Sequence, residues 1–248
     1  MRSGNPTLNE NTFLDIGTGA VVGRDGAMTI NGTVNRTALL LIVTLVAAMF
    51  TWSRFFASGD PASVMPFVWG GAIGGLVVAL VTVFKKTAAP FTGPLYAVLQ
   101  GLFIGGISAM FEARFPGLVI QAVGLTFGVL AAMLVAYRTG LIRATAKFRM
   151  GVVAATGGIF VLYLVNMVMH FFGTGIPFIH ESGMLGIGFS LFVVTIAALN
   201  LVLDFDAIES GVAAGAPKYM EWYGAFSLLV TLVWLYLEIL RLLAKTRD

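Results

Sequence analysis

Three carboxylates close an otherwise apolar run in the stretch Asn200-Leu201-Val202-Leu203-Asp204-Phe205-Asp206-Ala207-Ile208-Glu209, and a fourth, Glu238, interrupts "WLYLEILRLL". A quarter of the chain's 12 acidic residues thus falls within six positions. In apolar surroundings a carboxyl group can hold or release a proton near neutral pH, because desolvation disfavours its charged form. It can also offer a hard oxygen ligand to a cation such as Ca2+. Asp204 follows Asn200 by four positions, so the two share a helix face, whereas Asp206 points about 200° away. Asp206 and Glu209 read as the solvated end of a helix. A carboxylate at a helix C-terminus opposes the dipole, so Asp204 is not placed there for helix stability. A local rule broken in this way points to function. Glu238 has two readings. It can pair with Arg241 one turn on, both snorkelling to the interface, or face the bundle interior as a buried, protonatable group.

Other chemistry is thinly represented. There is no cysteine, which excludes disulfides, thiolate metal sites and a cysteine nucleophile. His170 shares a face with Asn166, and His180 is the only other histidine, so no zinc constellation emerges. Ser108 and His170 could formally serve an intramembrane serine protease, but "GGISAM" lacks the second flanking glycine. No Gly-x-Gly-Asp element surrounds Asp204, and the last apolar segment has no lysine before Lys245 for a retinal Schiff base. No phosphate-cradling glycine loop is present. The expectation is a protein that is not an enzyme, with no cofactor and no permanent metal site.

The elements that must position these residues are membrane spans. The chain is 58% hydrophobic and 11% charged, with mean hydropathy +0.92, against about 25% charged in soluble domains. Seven apolar segments, roughly 37–56, 62–84, 95–111, 116–137, 150–172, 182–203 and 222–243, each approach the ~20 residues that cross the hydrocarbon layer as a helix. Residues 1–36, rich in Gly, Asn and Thr, read as a largely disordered polar tail, 37–243 as the transmembrane domain and 244–248 as a short C-terminal tail. Ten basic residues fall on the N-terminal side and five on the other, which places the N-terminus in the cytoplasm. The formal charge of +3 is scattered, so nucleic acid is not an expected partner. The pairs Gly70/Gly74, Gly71/Gly75 and Gly101/Gly105 permit close helix approach, within the chain or between copies.

The chain resembles the Bax inhibitor-1/YccA family of membrane proteins, most closely a bacterial branch. The resemblance rests on "GLFIGGISAMFEARFPGLVIQA", "NLVLDFDAIESG" and "SLLVTLVWLYLEILRLL", and runs from about Met28 to Leu243. It implies an all-α, seven-transmembrane-helix bundle around a central C-terminal helix, in a bacterial inner membrane. It further implies a pH-sensitive calcium or cation leak gated by a carboxyl pair. Asp204 takes the first position of that pair. Glu238, in "YLEI" where the family usually carries aspartate, takes the second, 34 positions on. Ca2+ would visit both carboxylates transiently. Asn200, Asp206 and Arg241 would support the pair, and Lys85 or Lys86 would be the basic residue near it. The alternative drawn from relatives is a regulatory protein that acts on a membrane partner, such as a membrane-bound ATP-dependent protease.

Overall fold

The computed structural model describes residues 26–173 and 183–247, in seven long helices. They are α1 (Ile30–Ser58), α2 (Met65–Phe84), α3 (Ala89–Arg114), α4 (Leu118–Arg138), α5 (Ala146–Phe171), α6 (Met184–Ala213) and α7 (Met220–Lys245). All seven are long and apolar enough to cross a membrane, so the chain is an all-α multi-pass membrane protein. His180 and residues 1–25 of the polar tail lie outside the described residues.

Two boundaries differ from the sequence expectation, and both matter for the site. α1 begins at Ile30 rather than near residue 37. Thr29 is extended, and its hydroxyl accepts from Gly32 N at 2.9 Å, which caps the helix. α6 runs to Ala213, ten residues past the expected end at Leu203, and stops where Gly215 takes φ 67. The acidic cluster is therefore inside a helix and not at its solvated end. Asp204 and Asp206 are met by side chains of neighbouring helices, while Glu209 stays exposed, as its place in the sequence suggested.

α7 is the most enclosed helix. It packs against α1, α3, α4 and α6, and 67% of its apolar window is buried, against 17% for each of α1, α4 and α5. Bare glycines make the close approaches possible. A Cβ on Gly101 or Gly105 would lie 2.4 Å or 2.2 Å from a backbone oxygen of α1, and one on Gly71 would lie 2.4 Å from Leu99 O of α3. These glycines serve packing within the chain. Gly70 meets nothing.

Candidate functional site

The last helix carries Thr231, Glu238 and Lys245 at steps of seven, all three buried. Seven residues are nearly two full turns, so the three side chains form one row, with steps of about 10 Å along the axis. Membrane-buried polar groups are expensive and need partners from facing helices.

Asp204 of α6 meets the first member of this row. It is 0% exposed, and its carboxylate accepts from Thr231 Oγ1 at 2.6 Å and Ser227 Oγ at 3.3 Å. These two hydroxyls are one turn apart on α7 and straddle the carboxyl group. The side chain sits nine residues before the end of α6, so the conflict with the helix dipole expected from the sequence does not arise.

Glu238 is 2% exposed and belongs to a different network. Its carboxylate accepts from Arg241 Nη1 at 2.8 Å and from Tyr163 OH of α5 at 3.0 and 3.2 Å. Arg241 Nη1 also donates to Tyr163 OH at 2.9 Å, and its guanidinium lies 5.5 Å from that ring's centroid. Glu238 is thus hydrogen-bonded to Arg241 and Tyr163, and Asp204 to Thr231 and Ser227. Glu238 lies seven positions beyond Thr231, about 10 Å further along α7. The position that faces Asp204 is occupied by hydroxyls. The reading that does hold is the local one, an ion pair between Glu238 and Arg241, although Glu238 is buried rather than snorkelling.

The other residues singled out in the sequence divide between these networks. Asn200 Nδ2 donates to Thr156 Oγ1 of α5 at 2.8 Å and to Ile196 O at 2.9 Å, while its Oδ1 is buried without a hydrogen bond. Asp206, expected to be solvated, is half-buried and ion-paired with Arg149 of α5. Glu209 is exposed and accepts from Tyr137 OH of α4. Lys85 is exposed, whereas Lys86 is half-buried in a short 3-10 turn, Lys86–Ala88, that packs against α7. Ser108 is hydrogen-bonded to Tyr236 OH at 2.6 Å, and His170 is exposed near the end of α5.

Several groups were not anticipated. Lys245, counted in the sequence as a tail residue, is helical, and its Nζ donates to Ser190 Oγ at 2.9 Å and Gly186 O at 3.1 Å of α6. Glu221, in the first turn of α7, is 1% exposed. It accepts from Thr29 N at 3.1 Å and Thr29 Oγ1 at 2.9 Å, and lies 3.3 Å from Arg36 Nε, whose guanidinium stacks over Trp222. Backbone bonds from Met28 N to Ala216 O and from Lys218 N to Gly26 O complete this clasp of α1 onto α7. Glu112 at the end of α3 accepts from Gly117 N and Val119 N, at 2.6 and 3.0 Å, and so anchors the start of α4. An apolar crevice of about 560 Å³ between α1 and α4 lies apart from the polar row.

Chemically, the arrangement is a membrane-embedded set of carboxylate, amide, hydroxyl and cationic groups tying α5, α6 and α7 together. Each tie changes strength if a proton or a cation is gained or lost, because low-dielectric surroundings magnify such changes. No curated protein and no solved structure matches the chain. A family model described as Bax inhibitor 1 like matches residues 5–248. Seven apolar helices and a match over nearly the full length lead to one conclusion: the chain belongs to the Bax inhibitor 1 like family.

Proposed function

We propose that this protein is a pH-sensitive cation leak, with Ca2+ as the leading candidate ion, and that the contact of Asp204 with α7 is its gate. The observation that carries this reading is a fully buried carboxyl group between two spans, held by the Ser227 and Thr231 hydroxyls. A carboxylate in such surroundings needs compensation for lost hydration, and protonation changes how strongly it grips its donors. Weakening that grip frees α6 relative to α7, a bistable contact of the kind that gates bundles. Two hydroxyls of α7, Ser227 and Thr231, hold the carboxyl group that closes this gate. Lys86, half-buried in the turn against α7, is the better of the two lysines to act as its counter-ion.

The chemistry proposed is conformational rather than catalytic. The basic-rich side, which includes the start of α1, faces the cytoplasm of a bacterial inner membrane. The test is Ca2+ uptake into proteoliposomes across a pH series from about 6 to 8. Asp204→Asn should change the flux and flatten its pH dependence, while Glu238→Gln leaves the pH dependence in place. Wild-type behaviour of Asp204→Asn at every pH would sink the reading.

A further inference from the structure

α5 packs principally against α6, and the way it does so is unusual for a membrane helix. Its residues Arg149, Thr156, Tyr163 and His170 recur at steps of seven, so they lie in one row on a single face. The first three are each bonded to a polar side chain of the α6–α7 pair. Arg149 pairs with Asp206, Thr156 accepts from Asn200, and Tyr163 bonds Glu238 and Arg241. Arg149 to Tyr163 covers about 21 Å along α5, some two-thirds of the ~30 Å hydrocarbon layer. α7 carries its own row, in which Glu238 meets Tyr163 of α5 while Thr231 and Lys245 meet Asp204 and Ser190 of α6. Spans ordinarily associate through small and apolar residues. Polar rows at every second turn on two of three adjoining helices are the kind of feature that lines ion pathways in membrane proteins.

An independent observation lies at mid-depth. Asn200 is 1% exposed and uses both amide hydrogens, yet its Oδ1 accepts nothing. A buried acceptor left empty costs roughly 1–3 kcal/mol unless a water or cation fills it. Its neighbour Thr156 supplies a second oxygen, and Arg149 and Arg241 beyond it on either side are each neutralised by a carboxylate. The site therefore presents oxygen acceptors without a net excess of positive charge, which suits a hydrated cation and not an anion.

We propose that the seam between α5 and the α6–α7 pair is the hydrated cation path of this protein, with Asn200 Oδ1 and Thr156 Oγ1 at its narrowest point. The route deepens the leak reading and rests on it. Asp204, which faces the hydroxyls of α7, then controls the spacing of the two helices that form one wall of the path.

The chain's lack of cysteine makes a direct test possible. Thr156→Cys, on the seam, and Phe160→Cys, whose parent side chain is 67% exposed toward lipid, are reconstituted and treated with a charged, membrane-impermeant methanethiosulfonate. Such a reagent reacts with a hydrated thiolate, so Thr156→Cys should be modified about tenfold or more faster than Phe160→Cys. Its modification should abolish Ca2+ uptake, while modified Phe160→Cys keeps its uptake. Asn200→Cys, which puts the thiol on the α6 side of the seam, serves as the second position should Thr156→Cys not assemble. Slow labelling at both seam positions overturns the proposal, since the seam is then dry. Rapid labelling with undiminished uptake overturns it too, because the ion then travels elsewhere. Absence of uptake by the unmodified wild type overturns the leak and its route together, and is told apart from a dry seam by the labelling rates.

Discussion

Removing the Thr231 hydroxyl tests how the buried carboxyl group of Asp204 is held. Thr231→Val preserves the branched shape of the side chain, so the change is chiefly the loss of one donor. The lost bond is the shorter of the two to Asp204, 2.6 Å against 3.3 Å from Ser227. A hydrogen bond to a charged group contributes ~1.5–3 kcal/mol in soluble proteins, whereas interhelical bonds within membranes average ~0.6 and reach ~1.7. Asp204 is 0% exposed, so no water replaces the donor, and the upper end of the membrane range applies. We expect Thr231→Val to destabilise the bundle by about 1.5 kcal/mol, roughly tenfold in the unfolding equilibrium. Ser227→Ala, which loses the longer bond, should cost about 0.5 kcal/mol. In a double-mutant cycle with Asp204→Asn the Thr231 term should shrink, giving a coupling of about 1 kcal/mol. The assay is reversible unfolding in mixed detergent micelles followed by circular dichroism. A Thr231→Val effect within about 0.3 kcal/mol of wild type, or a larger loss for Ser227→Ala than for Thr231→Val, would refute the assignment.

Three further expectations follow from the other networks. Arg241→Ala leaves Glu238 buried without its cation and should cost about 2 kcal/mol, short of the ~3–5 for a fully buried pair because Arg241 is one-third exposed; the double change with Glu238→Gln should be milder, by thermal unfolding. Gly32→Ala would place a Cβ 2.0 Å from Glu221 Oε1, so melting should reveal a loss of about 1–3 kcal/mol that adding Glu221→Ala relieves in part. Lys86→Ala should shift the pH midpoint of Ca2+ uptake while Lys85→Ala leaves it in place, because the first lysine is half-buried in the turn packed on α7 and the second is exposed.

Much of the architecture was legible in the sequence. Seven apolar runs of span length dictate seven helices, because the hydrocarbon layer tolerates no unpaired backbone and helices pair their own. Asp204 stood out as a buried charge for the same reason, and the Glu238–Arg241 pair follows from a spacing of three on one helix. Helix ends were less legible. α6 continues past Leu203, with Thr231 of α7 meeting Asp204, Arg149 of α5 meeting Asp206 and Tyr137 of α4 meeting Glu209, and a carboxylate matched by a distant residue looks, in sequence, like one matched by water. The start of α1 was hidden likewise, since Glu221, 192 positions from Thr29, helps to fix it.

The partner of Asp204 was decided by tertiary structure alone. Both candidate positions on α7 are written in its sequence, Ser227 and Thr231 in one turn and Glu238 two turns on. Which of them stands opposite Asp204 depends on the length of the connection between α6 and α7 and on the register of their packing, and neither is a property of a local stretch. The seven-residue rows on α5 and α7 were equally present in the sequence. Their meaning came from the fold, because helical spacing sets which residues share a face, whereas packing sets what that face meets.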